Sequence, residues 1–159
     1  MFLRRASSII FAIFSAIFYL IRSIIYSMEP SVFTRIINGE IPCHKVFEDE
    51  LTIAFMDINP IQPGMVVVVA KQQIDNFEDL PDDLFCAVML KTKKVMKALR
   101  KTFPDKKKIA VKIEGLDVPH AHATVFPIDS GSDFTASPPS GDPNHEELAQ
   151  LAEKIRSYM

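Results

Sequence analysis

Met65–Ala70, "MVVVVA", constrains the fold more than any other stretch of the chain. Four consecutive valines offer no polar face, and the run is too short for a helix, so it reads as a central β-strand buried on both sides. Such a strand needs partners along its edges and a covering layer on each face. Its neighbours supply the partners. "NPIQPG" breaks the chain just before it, and "KVFEDELTIAFMD" alternates apolar and polar residues on either side of the acidic cluster Glu48 to Glu50, the pattern of a hairpin with one buried face. Further along, "KKIAVKIEG" and "HAHATVF" read as two more strands separated by the short "GLDVP" connection.

The covering layer comes from helices. From Pro81 to Phe103 the apolar residues Leu84, Val88, Val95, Leu99 and Phe103 keep helical spacing, with Asp79, Asp82 and Asp83 at the start and Lys97, Arg100 and Lys101 at the end, charges that suit the helix dipole. Ser31 caps a short helix through "VFTRII", which Asn38-Gly39 can end in a left-handed turn. "NHEELAQLAEKIRSYM" puts Leu148, Leu151, Ala152 and Ile155 on one face and closes the chain with an amphipathic helix. The expected fold is α+β: an antiparallel sheet of about five strands, one long helix and a short N-terminal helix. With 159 residues, 48% of them hydrophobic, one core is the expectation. Residues 28–128 form the domain, and 129–159 a Pro/Ser/Gly linker and the terminal helix.

Residues 1–27 differ in kind. Arg4 and Arg5 precede an apolar run from Ile9 to Ile21, which Arg22 interrupts. The run is shorter than the ~20 residues of a spanning helix and lacks a small-x-small cleavage pattern. Two readings stay open: a weak anchor making membrane contact, with a membrane-tethered protein as its consequence, or an extension outside the working protein, which then starts at Met28 in the cytoplasm. A net charge of -2 carries no basic field for a nucleic-acid partner. Cys43 and Cys86 have no C-x-x-C companion and read as small apolar fillers.

"VPHAHATVFP", Val118 to Pro127, holds two of the four histidines. On a strand, His120, His122 and Thr124 share one face, while Ala121, Ala123 and Val125 share the other. Small alanines let a helix or a second sheet approach closely, which leaves the polar face to line a cleft. An imidazole there suits attack at phosphorus, being partly neutral near pH 7. Two plainer readings stand beside that one: a satisfied pair of core histidines, or two ligands of a metal site still needing a third, which neither His44 nor His145 is well placed to supply.

Context favours the first. "SVFTRIINGEIPCHKVFEDELTIAFMDINPIQPGMVVVVAKQQIDNFEDLP", followed by "GLDVPHAHATVFP", resembles the histidine triad (HIT) family from about Met28 to Pro127. That resemblance implies a HIT-like domain, a purine nucleotide or nucleotide conjugate as ligand, no cofactor, a homodimer, and hydrolysis or nucleotidyl transfer at the α-phosphate through a nucleotidyl-histidine intermediate. His122 falls on the nucleophile, His120 on the histidine that positions it, and Asp57 on the acid that accepts the ribose hydroxyls. Val32, Phe33, Ile36, Phe55 and Ile58 fall on the base pocket.

Three positions depart from the pattern. Thr124 replaces the third histidine and keeps a hydroxyl but no proton donor of suitable pKa. Met65 stands where a histidine is expected after Pro63-Gly64. Asp117 stands near where the family often has a small phosphate-binding hydroxyl residue, and an ionised carboxylate there repels phosphate. Where the zinc-binding subset has cysteines, this chain has Ser31 and Thr34, so no metal is expected. A nucleotide-binding module with weak or no catalysis is the alternative.

Overall fold

The valine run lies in the middle of a five-stranded antiparallel sheet. In chain order the strands are β1 (Lys45–Glu48), β2 (Thr52–Met56), β3 (Val66–Ala70), β4 (Lys108–Ile113) and β5 (His122–Ile128), arranged β1-β2-β3-β5-β4. The computed structural model describes residues 29–159, and the expectations for 1–27 lie outside the described residues. The helices are α1 (Val32–Ile37), α2 (Asp82–Thr102) and α3 (His145–Arg156). Short 3₁₀ turns occur at Phe77–Asp79 and Gly131–Thr135.

Pairing fixes which residues share a face. Phe55 opposes Val67, Val67 opposes Thr124, and Thr124 opposes Lys112, so these four form one row across the sheet. Ile53, Val69 and His122 form the next row. On that side Phe33 of α1 packs against Ile53, Phe55, Val67 and Val69. The opposite face carries Ala54, Met56, Val66, Val68, Ala70, Ala121 and Val125, which meet Leu84, Val88, Val95 and Leu99 of α2 and Leu148, Ala152 and Ile155 of α3. Val66 to Val69 are therefore covered from both sides, each at most 3% exposed, and each contributes about 1.5–3 kcal/mol of burial.

The long helix also buries Lys91, which the apolar spacing passes over. Its ammonium lies 2.9 Å from Asp49 and 3.3 Å from the centroid of the Phe47 ring. The charge is thus paired and its stem packed. Phe103 is not part of α2: it is the C-cap, donating its N–H to Leu99 O.

From there Phe103 covers Gly64. Gly64 has φ +90°, and a Cβ added to it falls 2.5 Å from Phe103 Cε2. Gly64→Ala is expected to cost about 2–4 kcal/mol through left-handed strain and overpacking, read as a lower urea midpoint at unchanged slope.

The last strand starts two residues later than the alternation suggests. Ala121 donates its N–H to Ile74 O at 2.6 Å and His120 donates to Val118 O at 2.7 Å, so the first bonds to the loop after β3 and the second to the bend just before it, ahead of the β3 ladder that begins at His122.

Candidate functional site

The site begins with the N-cap of α1. Ser31 Oγ accepts the N–H of Thr34 at 3.1 Å and lies 2.9 Å from His120 Nδ1. His120 Nε2 is 2.8 Å from Ala70 O. A carbonyl only accepts, so Nε2 carries the proton and Nδ1 accepts the Ser31 hydroxyl. Gln73 anchors the cap by accepting from the Ser31 N–H at 3.0 Å and from the Thr34 hydroxyl. His120 itself is fully buried. Burial pushes its pKa down, only partly opposed by the bond to Ala70 O, and the ring is held neutral.

That fixed ring and backbone set the next histidine. His122 Nδ1 lies 2.7 Å from the carbonyl oxygen of His120. By the same donor argument Nδ1 holds the proton and Nε2 the lone pair. Among the described residues no buried side-chain nitrogen or oxygen lacks a partner, so Nε2, which has none, opens to solvent. Phe33 packs its ring against His122 at 5.0 Å between centroids, edge to face, and limits how the imidazole can turn.

Nε2 of His122 opens on a cleft of about 540 Å³, within the range of small-molecule sites. Val32, Phe33, Ile36, Phe55, Asp57, Ile58, Asp117, His122 and Thr124 all line it, while His120 stands behind. Phe33 and Phe55 meet at 5.6 Å as the floor of the apolar half, and Val32 and Ile58 form a rim, each nearly half exposed. Asp57 Oδ1 accepts the Asn59 N–H at 2.8 Å. Burial pushes the Asp57 carboxyl up, against the Asn59 amide and the nearby His122, which pull it down.

The three departures also meet in this cleft. Met65 is buried and lines it, and Asp117 is exposed at its edge. Thr124 Oγ1 donates to Lys112 O at 3.2 Å. The hydroxyl proton left for a substrate oxygen is thereby engaged, which leaves Thr124 an acceptor only.

Sequence reasoning missed several contributors. Ser31 was legible as a helix cap, but its bond to His120 spans 89 positions. Lys112 enters the cleft through strand register, Glu114 follows directly after β4, and Pro138 reaches it from the segment read as a linker. His44 and His145, set aside as third metal ligands, approach each other to 3.0 Å between Nε2 and Nδ1. Among the described residues no three His, Cys, Asp or Glu side chains converge on a metal position.

Ser31→Ala removes the donor to a buried ring nitrogen. The expected loss is about 1–3 kcal/mol, the cost of an unsatisfied buried group, read by urea unfolding. Ser31→Thr keeps the hydroxyl and is expected to recover most of it.

Comparison with known proteins points the same way as this geometry. The HIT domain family model matches residues 38–130. An uncharacterised HIT-like protein of Methanocaldococcus jannaschii is 38% identical over 99 residues, 60% of this chain and 77% of that protein. An adenosine 5'-monophosphoramidase of Schizosaccharomyces pombe is 29% identical over 127 residues, 79% of this chain and 96% of that one. The crystal structure of a Hit-like protein from Bartonella henselae superposes with TM-score 0.72 at 31% identity, covering 81% of this chain and 96% of that one. With more than half its length inside the matched model and the same α+β sheet beneath its paired histidines, the chain belongs to the HIT domain family.

Proposed function

We propose that this chain is a nucleotide hydrolase or nucleotidyl transferase, acting at the α-phosphate of a purine nucleotide conjugate. The observation that carries the reading is the bond from His122 Nδ1 to the His120 carbonyl, which leaves the Nε2 lone pair at the cleft surface. Nε2 attacks phosphorus, the bond from phosphorus to the leaving atom breaks, and its electron pair departs with that atom. Water then cleaves the P–N bond of the nucleotidyl-histidine and releases the nucleoside monophosphate. His120 is a positioning residue. Asp57 accepts the ribose hydroxyls, and Val32, Phe33, Ile36, Phe55 and Ile58 take the base, as their shared cleft supports. The monophosphoramidase named among the relatives fits this chemistry.

A second reading, a binding module with little turnover, draws on the committed hydroxyl of Thr124, on buried Met65 and on the Asp117 carboxylate. A homodimer fits the outer edge of β4, which pairs with no strand among the described residues, and the exposed Phe85 and Leu90 of α2. Nucleotide substrates suit a cytoplasmic setting. Among the described residues no helix is long and apolar enough to cross a membrane, and the anchor proposed for residues 1–27 lies outside them.

Calorimetry with AMP tests the nucleotide site that both readings share. Binding is expected with a dissociation constant below about 1 mM, some 4 kcal/mol of binding free energy. No heat at millimolar AMP overturns both. Turnover of adenosine phosphoramidate, or of an AMP conjugate whose leaving group departs as an oxyanion, then selects the enzyme, and the absence of both the module.

A further inference from the structure

The charged groups of the cleft do not suit a nucleotide without Lys112. Asp57, Glu114 and Asp117 all line it, and among the described residues Lys112 is the one Lys or Arg that does. On β4, Lys112 stands directly opposite Thr124, on the same sheet face as His122, which lies two positions before Thr124 on β5. Diagonal neighbours at that spacing lie about 7–8 Å apart, within reach of a lysine side chain. Its ammonium is at present 2.8 Å from Glu114 Oε1, in a pair whose side chains are 33% and 40% exposed. Half-exposed pairs of this kind hold their partners weakly, so a phosphate oxygen can take the ammonium from Glu114.

Resting on the proposed nucleotide site, we infer that Lys112 forms an anion site beyond the α-phosphate, and that the preferred conjugate carries a leaving group departing as an oxyanion, such as a phosphate. Two observations converge on this. Thr124 has no proton to give, because its hydroxyl donates to the Lys112 carbonyl, so a leaving amine gets no help from it. An oxyanion needs no proton: when His122 Nε2 bonds to phosphorus and the P–O bond breaks, the electron pair stays on the departing oxygen, and a fixed positive charge beside it stabilises that charge. Lys112 is the side chain placed next to Thr124 to provide it.

The test compares AMP with α,β-methylene-ADP, which carries the second phosphate and resists cleavage at that link. By calorimetry the full chain is expected to bind the diphosphate analogue about ten- to a hundredfold more tightly than AMP, the range of a hydrogen bond between charged groups. Lys112→Ala is expected to abolish that advantage with AMP affinity little changed, and Lys112→Arg to keep most of it. Equal affinities in the wild type, or an advantage that survives Lys112→Ala, overturns the inference and leaves the nucleotide site standing. Failure of both ligands to bind removes the nucleotide site and this inference together.

Discussion

His122→Ala is expected to lower release of the leaving group from adenosine phosphoramidate by at least about 10⁴-fold, near 5.5 kcal/mol of transition-state stabilisation, while AMP binding changes by no more than a few-fold. The size follows from what is lost. An alanine has no atom to bond to phosphorus, and no neighbour replaces it: His120 is fully buried with both ring nitrogens engaged. Binding survives because the apolar walls at Phe33 and Phe55 and the Asp57 carboxylate do not depend on the imidazole for their place. Rapid-quench turnover measures the rate, and trapping of nucleotide on the wild-type chain in an alkali-stable, acid-labile bond, as a P–N link requires, measures the intermediate. Equal rates in wild type and variant sink the claim that His122 is the nucleophile.

His120→Asn separates positioning from nucleophilic attack. Its carbonyl still accepts from His122 Nδ1, since that bond is to backbone. What disappears is the ring that ties β3, through Ala70 O, to the cap of α1 through Ser31. The rate therefore falls less than in His122→Ala, and the loss follows how far the backbone at 120 shifts.

How much of this was legible depended on how local each cause is. The valine run declared its own place, because four apolar β-branched residues have only one environment in a sheet. Alternation put His122 and Thr124 on one face and the small alanines on the other, and α2 does pack on Ala121 and Val125. Lys112 was not legible for a physical reason. Its place beside Thr124 is a matter of register between β4 and β5, and a slip of one residue presents Val111 or Ile113 on that face instead. The "GLDVP" connection does not reveal which register holds; the ladder from Lys108 opposite Ile128 to Ile113 opposite Ala123 does. Ser31 illustrates the other limit. Its capping bond to Thr34 is three residues long and was read at once, whereas its bond to His120 exists only after α1 has packed against the sheet.

Thr124→His restores the missing third imidazole and is expected to raise turnover of adenosine phosphoramidate by about 10²-fold, the lower end of what a positioned general acid contributes. The lower end applies because Met65 remains beside it without polar function, and because the new ring must share the row with Val67 and Lys112. Thr124 lines the open cleft, so the larger side chain extends toward substrate and not into the core between sheet and α2. The gain should depend on the leaving group. An amine must be protonated to depart and profits fully, whereas p-nitrophenolate leaves unaided and profits little. The ratio of the two rates, phosphoramidate over p-nitrophenyl ester, is thus the decisive measurement: it rises in Thr124→His if the wild-type strand lacks a general acid. A ratio that stays at its wild-type value shows that proton donation to the leaving group comes from elsewhere in the cleft, and the weak-catalysis argument built on Thr124 then fails.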